Sequence, residues 1–410
     1  TTTTTTSTGG SGGTGGTGGF VEIGGFGGFG GATDASPINV VDDTWTYVPI
    51  AGSTCMNGTP TGIGINKIST SDDVVIYLEG GNACFNTLSC FATYHPNGYG
   101  QTDFDHDLAS PDSELNFPIF TRPTGGGTGG GGGSGGGGTG GGGPAAGQLF
   151  KDYNFVYVPY CTGDVHAGDL DTTVAGVYRH FHGAENMDRY LARIVATFPG
   201  ARNVIVTGSS AGGFGAAFNY DRVSNAFGPN VNVTLLDDSG PPMSSDFVAP
   251  CLQKHFIETW GLDHTLPADC TDCRPDSGVF MEPLVRFLVT KYGGQRLGLI
   301  SSTQDKTISG FWSFGDDNCA NIEVMGGYDG TMYTDGLTDL RNNIVGSGNN
   351  FRMFLIDGTG SLPNGTTNSS HVWLNWDPYT VNSNGTNLGA WLQEFLDPQA
   401  TWPNVPPSGS

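Results

Sequence analysis

The sequence predicts an α/β fold in which helices cover both faces of a doubly wound, mostly parallel sheet. Short apolar runs alternate along the chain with segments of helical periodicity, and one such run leads through a glycine-rich turn directly into a helix. A length of 410 residues would allow two domains, but many of the 69 glycines fall in two low-complexity tracts. We therefore expect one large domain.

Six apolar runs have the length and the β-branched content of buried parallel strands. In chain order they are residues 74–78, 155–158, 204–207, 233–237, 297–301 and 351–356. The period of amphipathic helices appears in residues 184–197, 213–219, 282–292 and 388–396. This order of elements predicts a functional site at the carboxyl ends of the strands, where sheets of this type bind ligands.

The most informative motif follows the third predicted strand. Gly208-Ser209-Ser210-Ala211-Gly212 has the form Gly-x-Ser-x-Gly, and small residues after it open a helix. Glycines allow a sharp turn here, which would present the Ser210 hydroxyl at the helix N-terminus. Glycine is frequent in this chain, so it is the strand before the motif and the helix after it that indicate a nucleophilic serine.

A nucleophilic serine in such a turn requires an acid and then a histidine later in the chain. Among the three histidines after Ser210, only His371 follows a predicted strand and a loop near the end of the chain. Asp305 follows the preceding strand and is the candidate acid. This arrangement predicts a sheet of the α/β-hydrolase type. The competing acids are Asp335, Asp339 and Asp357, of which the last ends the strand that leads to the histidine.

Five segments resemble, in order, motifs of the pectin acetylesterase and Notum family of carboxylesterases. They are Leu78-Glu79-Gly80-Gly81-Asn82-Ala83-Cys84, Tyr160-Cys161-Thr162-Gly163-Asp164, His180-Phe181-His182-Gly183, Gly208-Ser209-Ser210-Ala211-Gly212-Gly213 and Asp237-Asp238-Ser239-Gly240. Asp305 and His371 fall where that family has its acid and its base. The resemblance extends from Trp45 to Leu396, and the first segment is its most specific motif.

The resemblance implies a serine esterase with Ser210, Asp305 and His371 as its catalytic residues. In such an enzyme the histidine takes the serine proton, and the acid orients the imidazole. The chemistry implies no metal and no organic cofactor. The N–H groups that would bind the oxyanion are those of Gly81, Asn82 and Ala211.

The implied substrate is an acetyl or other short acyl ester, carried by a polysaccharide such as pectin. A hydrolase of other esters, including polyesters, and a catalytically inactive binding module are the alternatives. We expect activity to fall steeply for long acyl chains, because no helical lid or leucine-rich cap is evident. Aromatic side chains near the site would bind the substrate, namely Phe214, Phe311, Trp312 and Trp373.

Two departures from the family pattern affect the expected substrate more than the reaction. Ser209 stands where the family usually has cysteine, and Asn82 and Ala83 replace glycine or aromatic residues. We expect a smaller, more polar pocket wall and a more open mouth near Asn82. The oxyanion donors should be retained, because backbone N–H groups do not depend on the side chain.

The cysteine count indicates an oxidising compartment, since eight cysteines are scattered along a chain with few lysines. Two pairs are close in sequence, Cys84 with Cys90 and Cys270 with Cys273. A zinc site at the second pair is not expected, because no further cysteine or histidine pair lies nearby. The resemblance implies the remaining pairs, Cys55 with Cys161 and Cys251 with Cys319.

The charge balance argues against two classes of partner. A formal net charge of −23 disfavours nucleic acid and anionic membrane surfaces. An acidic run mimics part of a calcium loop, but Leu108 stands where an EF-hand needs glycine. A loose calcium site and a solvated acidic loop remain the alternatives for this run, which comprises Asp103, Asp105, Asp107 and Glu114. We expect a monomer.

The glycine-rich tracts set the expected boundaries of the domain. Residues 1–36 are expected to form a flexible tether, residues 37–400 the catalytic domain and residues 401–410 a tail. Residues 125–143 are predicted to be an inserted surface loop. No leader peptide and no run long enough to span a membrane is evident. Because the cysteines indicate an oxidising compartment, we expect a secreted or extracellular protein, with residues 1–36 as a tether to the cell surface.

Overall fold

An eight-stranded sheet lies at the centre of the computed structural model, which describes residues 34–122, 149–346, 350–358 and 371–407. The strands of the described chain are β1 (Thr46–Thr54), β2 (Pro60–Asn66), β3 (Val74–Leu78), β4 (Asn154–Val158), β5 (Leu170–Val174), β6 (Val177–Phe181), β7 (Asn203–Ser209), β8 (Asn232–Asp238), β9 (Leu297–Ser302), β10 (Phe351–Ile356), β11 (Asn382–Ser383) and β12 (Thr386–Asn387).

The large sheet has the order β1-β2-β4-β3-β7-β8-β9-β10. Strand β2 is antiparallel to both of its neighbours. The pairs from β4 to β10 are all parallel, so their carboxyl ends meet at one edge. Strands β5 and β6 form a separate antiparallel hairpin, as do β11 and β12.

The α-helices of the described chain connect and cover these strands. They are α1 (Thr87–Phe91), α2 (Gln101–Ala109), α3 (Gly183–Thr197), α4 (Ala211–Phe227), α5 (Pro250–Trp260), α6 (Met281–Lys291), α7 (Lys306–Trp312), α8 (Gly330–Asp339) and α9 (Leu388–Leu396). Short 3-10 turns lie between them, and a π-helical turn, Leu340–Ile344, follows α8.

Alternate residues of the central strands point into two hydrophobic cores on opposite faces of the sheet. In β3, Ile76 and Leu78 belong to the larger core, whereas Val75 and Tyr77 belong to the smaller one. Helices α3, α4 and α6 contribute to the larger core, and α2 and α9 to the smaller. Because both faces are covered, the central strands are apolar throughout instead of alternating with polar residues.

The predicted fold class is confirmed. The six predicted strands correspond to β3, β4, β7, β8, β9 and β10, and the four predicted helices to α3, α4, α6 and α9. Strands β1 and β2 and the β5–β6 hairpin were not predicted, because they are partly exposed or rich in glycine and threonine. Such strands are defined by pairing with a neighbour and not by their own apolar pattern.

All described elements belong to one unit, Thr33–Ser410. Residues 1–33 of the expected tether and the whole of the expected insert at 125–143 lie outside the described residues, so the boundaries of the domain stay predictions. No helix in the described ranges is long and apolar enough to cross a membrane.

All eight cysteines are joined in disulfides. The pairs are Cys55–Cys161, Cys84–Cys90, Cys251–Cys319 and Cys270–Cys273, the same pairs that the sequence and the resemblance led us to expect. With both of its sulfurs in one disulfide, the Cys270–Cys273 segment offers no thiolate to a metal ion.

Candidate active site

Ser210 occupies the sharp turn between β7 and α4. Its backbone has φ 58° and ψ −120°, a conformation with positive φ that is strained for a residue with a side chain. Glycine is required on both sides, since a Cβ at Gly208 or Gly212 would lie 2.5 or 2.0 Å from the Leu78 carbonyl oxygen. The strand thus passes directly into the helix, with Ser210 at the helix N-terminus, as in a nucleophile elbow.

The loop that follows β3 lies against this elbow. A Cβ at Gly80 would be 2.7 Å from the Ser209 carbonyl oxygen, and a Cβ at Gly81 would be 2.5 Å from the Tyr160 ring. Only glycine lets the backbone approach so closely. Within the described ranges, no protein group accepts a hydrogen bond from the three expected oxyanion donors, the N–H groups of Gly81, Asn82 and Ala211.

His371 and Asp305 are in direct contact. His371 Nδ1 lies 2.7 Å from Asp305 Oδ2, and Asp305 is fully buried. The other carboxylate oxygen accepts the N–H groups of Thr307 and Ile308, both at 2.9 Å, at the N-terminus of α7. The helix therefore fixes a carboxylate that orients the imidazole, which leaves His371 Nε2 as the nitrogen able to act as a base.

Asp238, at the end of β8, joins the elbow to the segment that follows His371. Its backbone carbonyl accepts the N–H of Ser210 at 2.8 Å. Its carboxylate accepts the N–H groups of Trp373 and Leu374, each at 2.8 Å. One buried residue thus holds the serine turn and the histidine segment at the same edge of the sheet.

Glu114 and Tyr77 extend this network beneath the oxyanion loop. Glu114 Oε2 accepts the N–H of Gly80 at 3.0 Å and lies 2.9 Å from the Tyr77 hydroxyl. That hydroxyl is also 2.9 Å from Ser209 Oγ, which donates to Asp238 Oδ2 at 3.0 Å. The Tyr77 hydroxyl has one proton and can donate it to only one of these two neighbours. All the hydrogen bonds of the network form together when Glu114 is protonated and donates to the Tyr77 oxygen, which then donates to Ser209 Oγ.

The pKa of Glu114 agrees with this proton count. Burial, and then the negative charge of Glu79, raise the pKa of Glu114 from 4.5 to about 8. Between pH 4.5 and about pH 8, Glu114 is ionised in the unfolded chain but keeps its proton in the folded chain. This group therefore lowers the free energy of unfolding by about 1.4 kcal/mol for each unit of rising pH.

We expect Glu114→Gln to flatten the fall in stability between about pH 5 and about pH 8, because glutamine cannot ionise but can still accept the Gly80 N–H. Urea unfolding at both pH values would measure the effect. Glu282→Gln, a partly exposed residue on α6, controls for the loss of one carboxylate. The same pH dependence in Glu114→Gln and in the unmodified protein would contradict the prediction.

An apolar cavity opens beside Ser210. Its volume, counting the open mouth, is about 430 Å³. Three of the expected substrate-binding residues line it, namely Phe214, Phe311 and Trp312. Further apolar side chains on its wall come from α4, α5, α6 and α7, among them Phe218, Phe256, Trp260, Met281 and Ile308. The cavity is therefore suited to an acyl chain and not to a sugar ring.

Two expected contributions to this cavity are wrong. Trp373 is only 1% exposed and packs in the smaller core, so it offers no surface to a substrate. The Asn82 side chain donates to the carbonyl of Ala92 and does not line the cavity. The wall near Asn82 is thus not made more polar by this residue, because its amide is used within the loop.

The acidic run does not form a single loop, because Asp103, Asp105 and Asp107 lie on the helix α2, with Asp103 and Asp105 exposed to solvent. Asp103 accepts the N–H of Gly100 at the start of α2, and Asp107 accepts the Tyr99 hydroxyl, both at 2.9 Å. Glu114 belongs to the buried network described above. Asp103 thus serves a helix end, whereas Asp107 and Glu114 accept hydrogen bonds in the interior of the protein.

Sequence reasoning missed the roles of Asp238, Glu114 and Tyr77. The segment Asp237-Asp238-Ser239-Gly240 was visible as a motif, but nothing in it showed which backbone groups its carboxylates would accept. Val372 was missed as well: this β-branched residue has φ 57°, a rare conformation that occurs directly beside His371.

Comparisons with known proteins support the resemblance. The family model for pectinacetylesterase matches residues 141–291. The human palmitoleoyl-protein carboxylesterase NOTUM is 26% identical over 231 residues, which cover 55% of this chain and 39% of the human protein. NOTUM of Schmidtea mediterranea is 30% identical over 151 residues, 36% of this chain and 24% of that protein. Pectin acetylesterase 11 of Arabidopsis thaliana is 25% identical over 148 residues, 34% of this chain and 38% of that protein.

The fold is similar to that of a solved relative. The structure of the Wnt deacylase Notum from Drosophila superposes with a TM-score of 0.55 at 16% identity and covers 88% of this chain and 96% of that one. The chain matches less than two-fifths of the length of the human NOTUM protein, so the comparisons show a similarity and not a shared substrate. As its motifs predicted, the chain is similar to members of the pectin acetylesterase and Notum family of carboxylesterases.

Proposed function

We propose that the protein is a serine carboxylesterase with Ser210 as nucleophile, His371 as base and Asp305 as orienting acid. The main support is the 2.7 Å contact between His371 Nδ1 and Asp305 Oδ2, because the same edge of the sheet carries Ser210 in a strained turn. Relatives named as carboxylesterases and a pectin acetylesterase support the same class of reaction.

In the proposed reaction, His371 Nε2 takes the Ser210 proton while Oγ attacks the carbonyl carbon of the ester. The three expected N–H donors bind the negative charge that develops on the carbonyl oxygen, and each such donor is worth about 3 kcal/mol. His371 returns the proton to the leaving alcohol, and water then hydrolyses the acyl-enzyme. Asp305 stabilises the imidazolium in both steps.

We infer that the acyl group enters the apolar cavity and that the alcohol remains at its open mouth. Phe214 and Trp312 meet edge to face, with ring centroids 5.4 Å apart, and form a wall close to the elbow. Such a wall suits a short acyl chain. A polysaccharide ester is the proposed substrate, supported by the relative named pectin acetylesterase 11.

A longer acyl chain is the second candidate. The apolar lining continues beyond Phe214 and Trp312 to residues of α5 and α6. The NOTUM relatives are named palmitoleoyl-protein carboxylesterases, which would be consistent with such a substrate.

A series of p-nitrophenyl esters from acetyl to dodecanoyl would separate the two candidates. We expect kcat/KM to be highest for acetyl and butyryl esters and to fall for longer chains. Each methylene that finds room in the cavity could raise kcat/KM about fourfold, since burial of a methylene is worth about 0.8 kcal/mol. A maximum at octanoyl or beyond would replace the short-chain proposal with the second candidate.

We expect Trp312→Ala to move the optimum toward longer chains, because the deletion enlarges the cavity beside Ser210. The measurement is the same ester series with purified variant. Trp373→Phe is the matched control: it alters a buried aromatic residue outside the cavity and should keep the original profile. A shift in the control, or none in Trp312→Ala, would show that this cavity does not hold the acyl chain.

A second panel, of polymeric substrates, would identify the alcohol part of the ester. We expect release of acetate from acetylated pectin to exceed hydrolysis of polyester films, and hydrolysis of the films alone would favour the polyester alternative. Absence of turnover on every ester, with a folded protein, would favour an inactive binding module.

The four disulfides support the proposal that the protein acts outside the cell.

A further inference from the structure

Two histidines and an aspartate converge on the β5–β6 hairpin, away from the lining of the cavity. Asp171 on β5 lies directly opposite His180 on β6. His180 Nδ1 is 2.7 Å and His182 Nε2 is 3.0 Å from the same oxygen, Asp171 Oδ1. The three ligand atoms all lie within 4.8 Å of one another.

The backbone imposes this convergence. Phe181, the last residue of β6, is fully buried in the larger core, and its neighbours His180 and His182 are both partly exposed and reach the same carboxylate. Residues directly opposite in an antiparallel pair have Cβ atoms about 5 Å apart. Two imidazoles and a cross-strand carboxylate are therefore placed where one cation could bridge them.

His182 has a second carboxylate on its other ring nitrogen. His182 Nδ1 is 2.9 Å from Glu185 Oε2, in the first turn of α3. A neutral imidazole has one N–H and can donate to only one of the carboxylates at its two nitrogens. A cation at Nε2 would leave Nδ1–H to donate to Glu185, which is the carboxylate–histidine–metal arrangement common in metal sites.

The cluster is also accessible to solvent. The side chains of Asp171, His180 and His182 are 42%, 30% and 22% exposed. An ion can therefore enter, and water can complete its coordination. Imidazole nitrogen and carboxylate oxygen suit Zn²⁺ and the neighbouring late transition metals, whereas Ca²⁺ and Mg²⁺ prefer oxygen ligands alone.

We propose that Asp171, His180 and His182 bind a divalent transition-metal cation of the Zn²⁺ type, with Glu185 orienting His182 from outside the coordination sphere. The ion would tie β5 and β6 to the start of α3 and so stabilise the fold. It would take no part in ester hydrolysis, because none of these residues lines the cavity at Ser210.

Calorimetric titration of the EDTA-treated full chain with Zn²⁺ tests the proposal. We expect one ion per chain and a higher melting temperature in its presence. His180→Ala and Asp171→Asn should each remove this binding, and Glu185→Gln should weaken it about tenfold or more. If circular dichroism shows that His180→Ala is unfolded, the Zn²⁺ affinity of Asp171→Asn still tests the proposal. That variant changes only one partly exposed carboxylate.

His264→Ala is the matched control, since His264 is an exposed histidine beside an aspartate elsewhere on the surface. It should keep full binding. Lack of Zn²⁺ binding by the unmodified chain, or unchanged affinity in the hairpin variants, would overturn the proposal. So would binding that is lost in His95→Ala and retained in the hairpin variants, because the ion would then lie at Glu79, His95 and Asp107.

Discussion

Ser210→Ala should abolish ester hydrolysis while leaving the protein folded. Removal of the nucleophile of a serine hydrolase lowers kcat by about a million-fold, and what remains comes from the oxyanion donors and substrate binding. The folded state should tolerate the change, because alanine preserves the Cβ and the backbone N–H that Asp238 accepts. Loss of activity with an unchanged melting temperature is the expected result.

Ser209→Ala is the control for this variant. Ser209 is adjacent in sequence but fully buried, with its hydroxyl hydrogen-bonded to Asp238. A serine-directed fluorophosphonate should label the unmodified protein and Ser209→Ala once per chain, and should not label Ser210→Ala. Label on any other residue, or turnover by Ser210→Ala, would refute the assignment of the nucleophile.

Asp305→Asn should lower kcat by about ten-thousand-fold. The asparagine oxygen can still accept the N–H groups of Thr307 and Ile308, so the start of α7 should survive. The amide nitrogen would then face His371 Nδ1 and favour the tautomer with its proton on Nε2. That tautomer cannot take the proton of Ser210.

Asp357→Asn is the discriminating comparison, because Asp357 is the competing acid on the strand before His371. We expect kcat of this variant to stay within about tenfold of the unmodified enzyme, a small loss beside that of Asp305→Asn. Steady-state kinetics on p-nitrophenyl acetate, with melting temperatures of both variants, would measure the difference. A greater loss of kcat in Asp357→Asn would show that the acid is Asp357 and that Asp305 was the wrong assignment.

The sequence by itself determined the central strands, the elbow and the candidate catalytic residues. Strands such as β3 and β7 are buried on both faces, so their apolar runs are visible without knowledge of their neighbours. The turn at Ser210 could be predicted because glycine, strand and helix signals occur together within a dozen residues. His371 and Asp305 followed from chain order after successive strands.

Only the tertiary structure decided how those residues are supported and what surrounds them. The network through Asp238, Tyr77 and Glu114 includes the hydrogen bond from Tyr77 to Ser209, which is 132 positions away. The local sequence pattern does not show which distant groups become hydrogen-bond partners. Trp373 was wrongly expected to bind substrate for the same reason. The sequence shows that this aromatic residue lies close to His371, but packing decides which face of the sheet its side chain joins.

The β5–β6 hairpin and the cavity show the same limit. Asp171 and His180 face each other through strand register, which no local spacing encodes. The cavity draws its wall from four helices, so its size depends on how they pack. Local propensity and burial on both faces can be read from a sequence, whereas partners, register and empty space are properties of the folded chain.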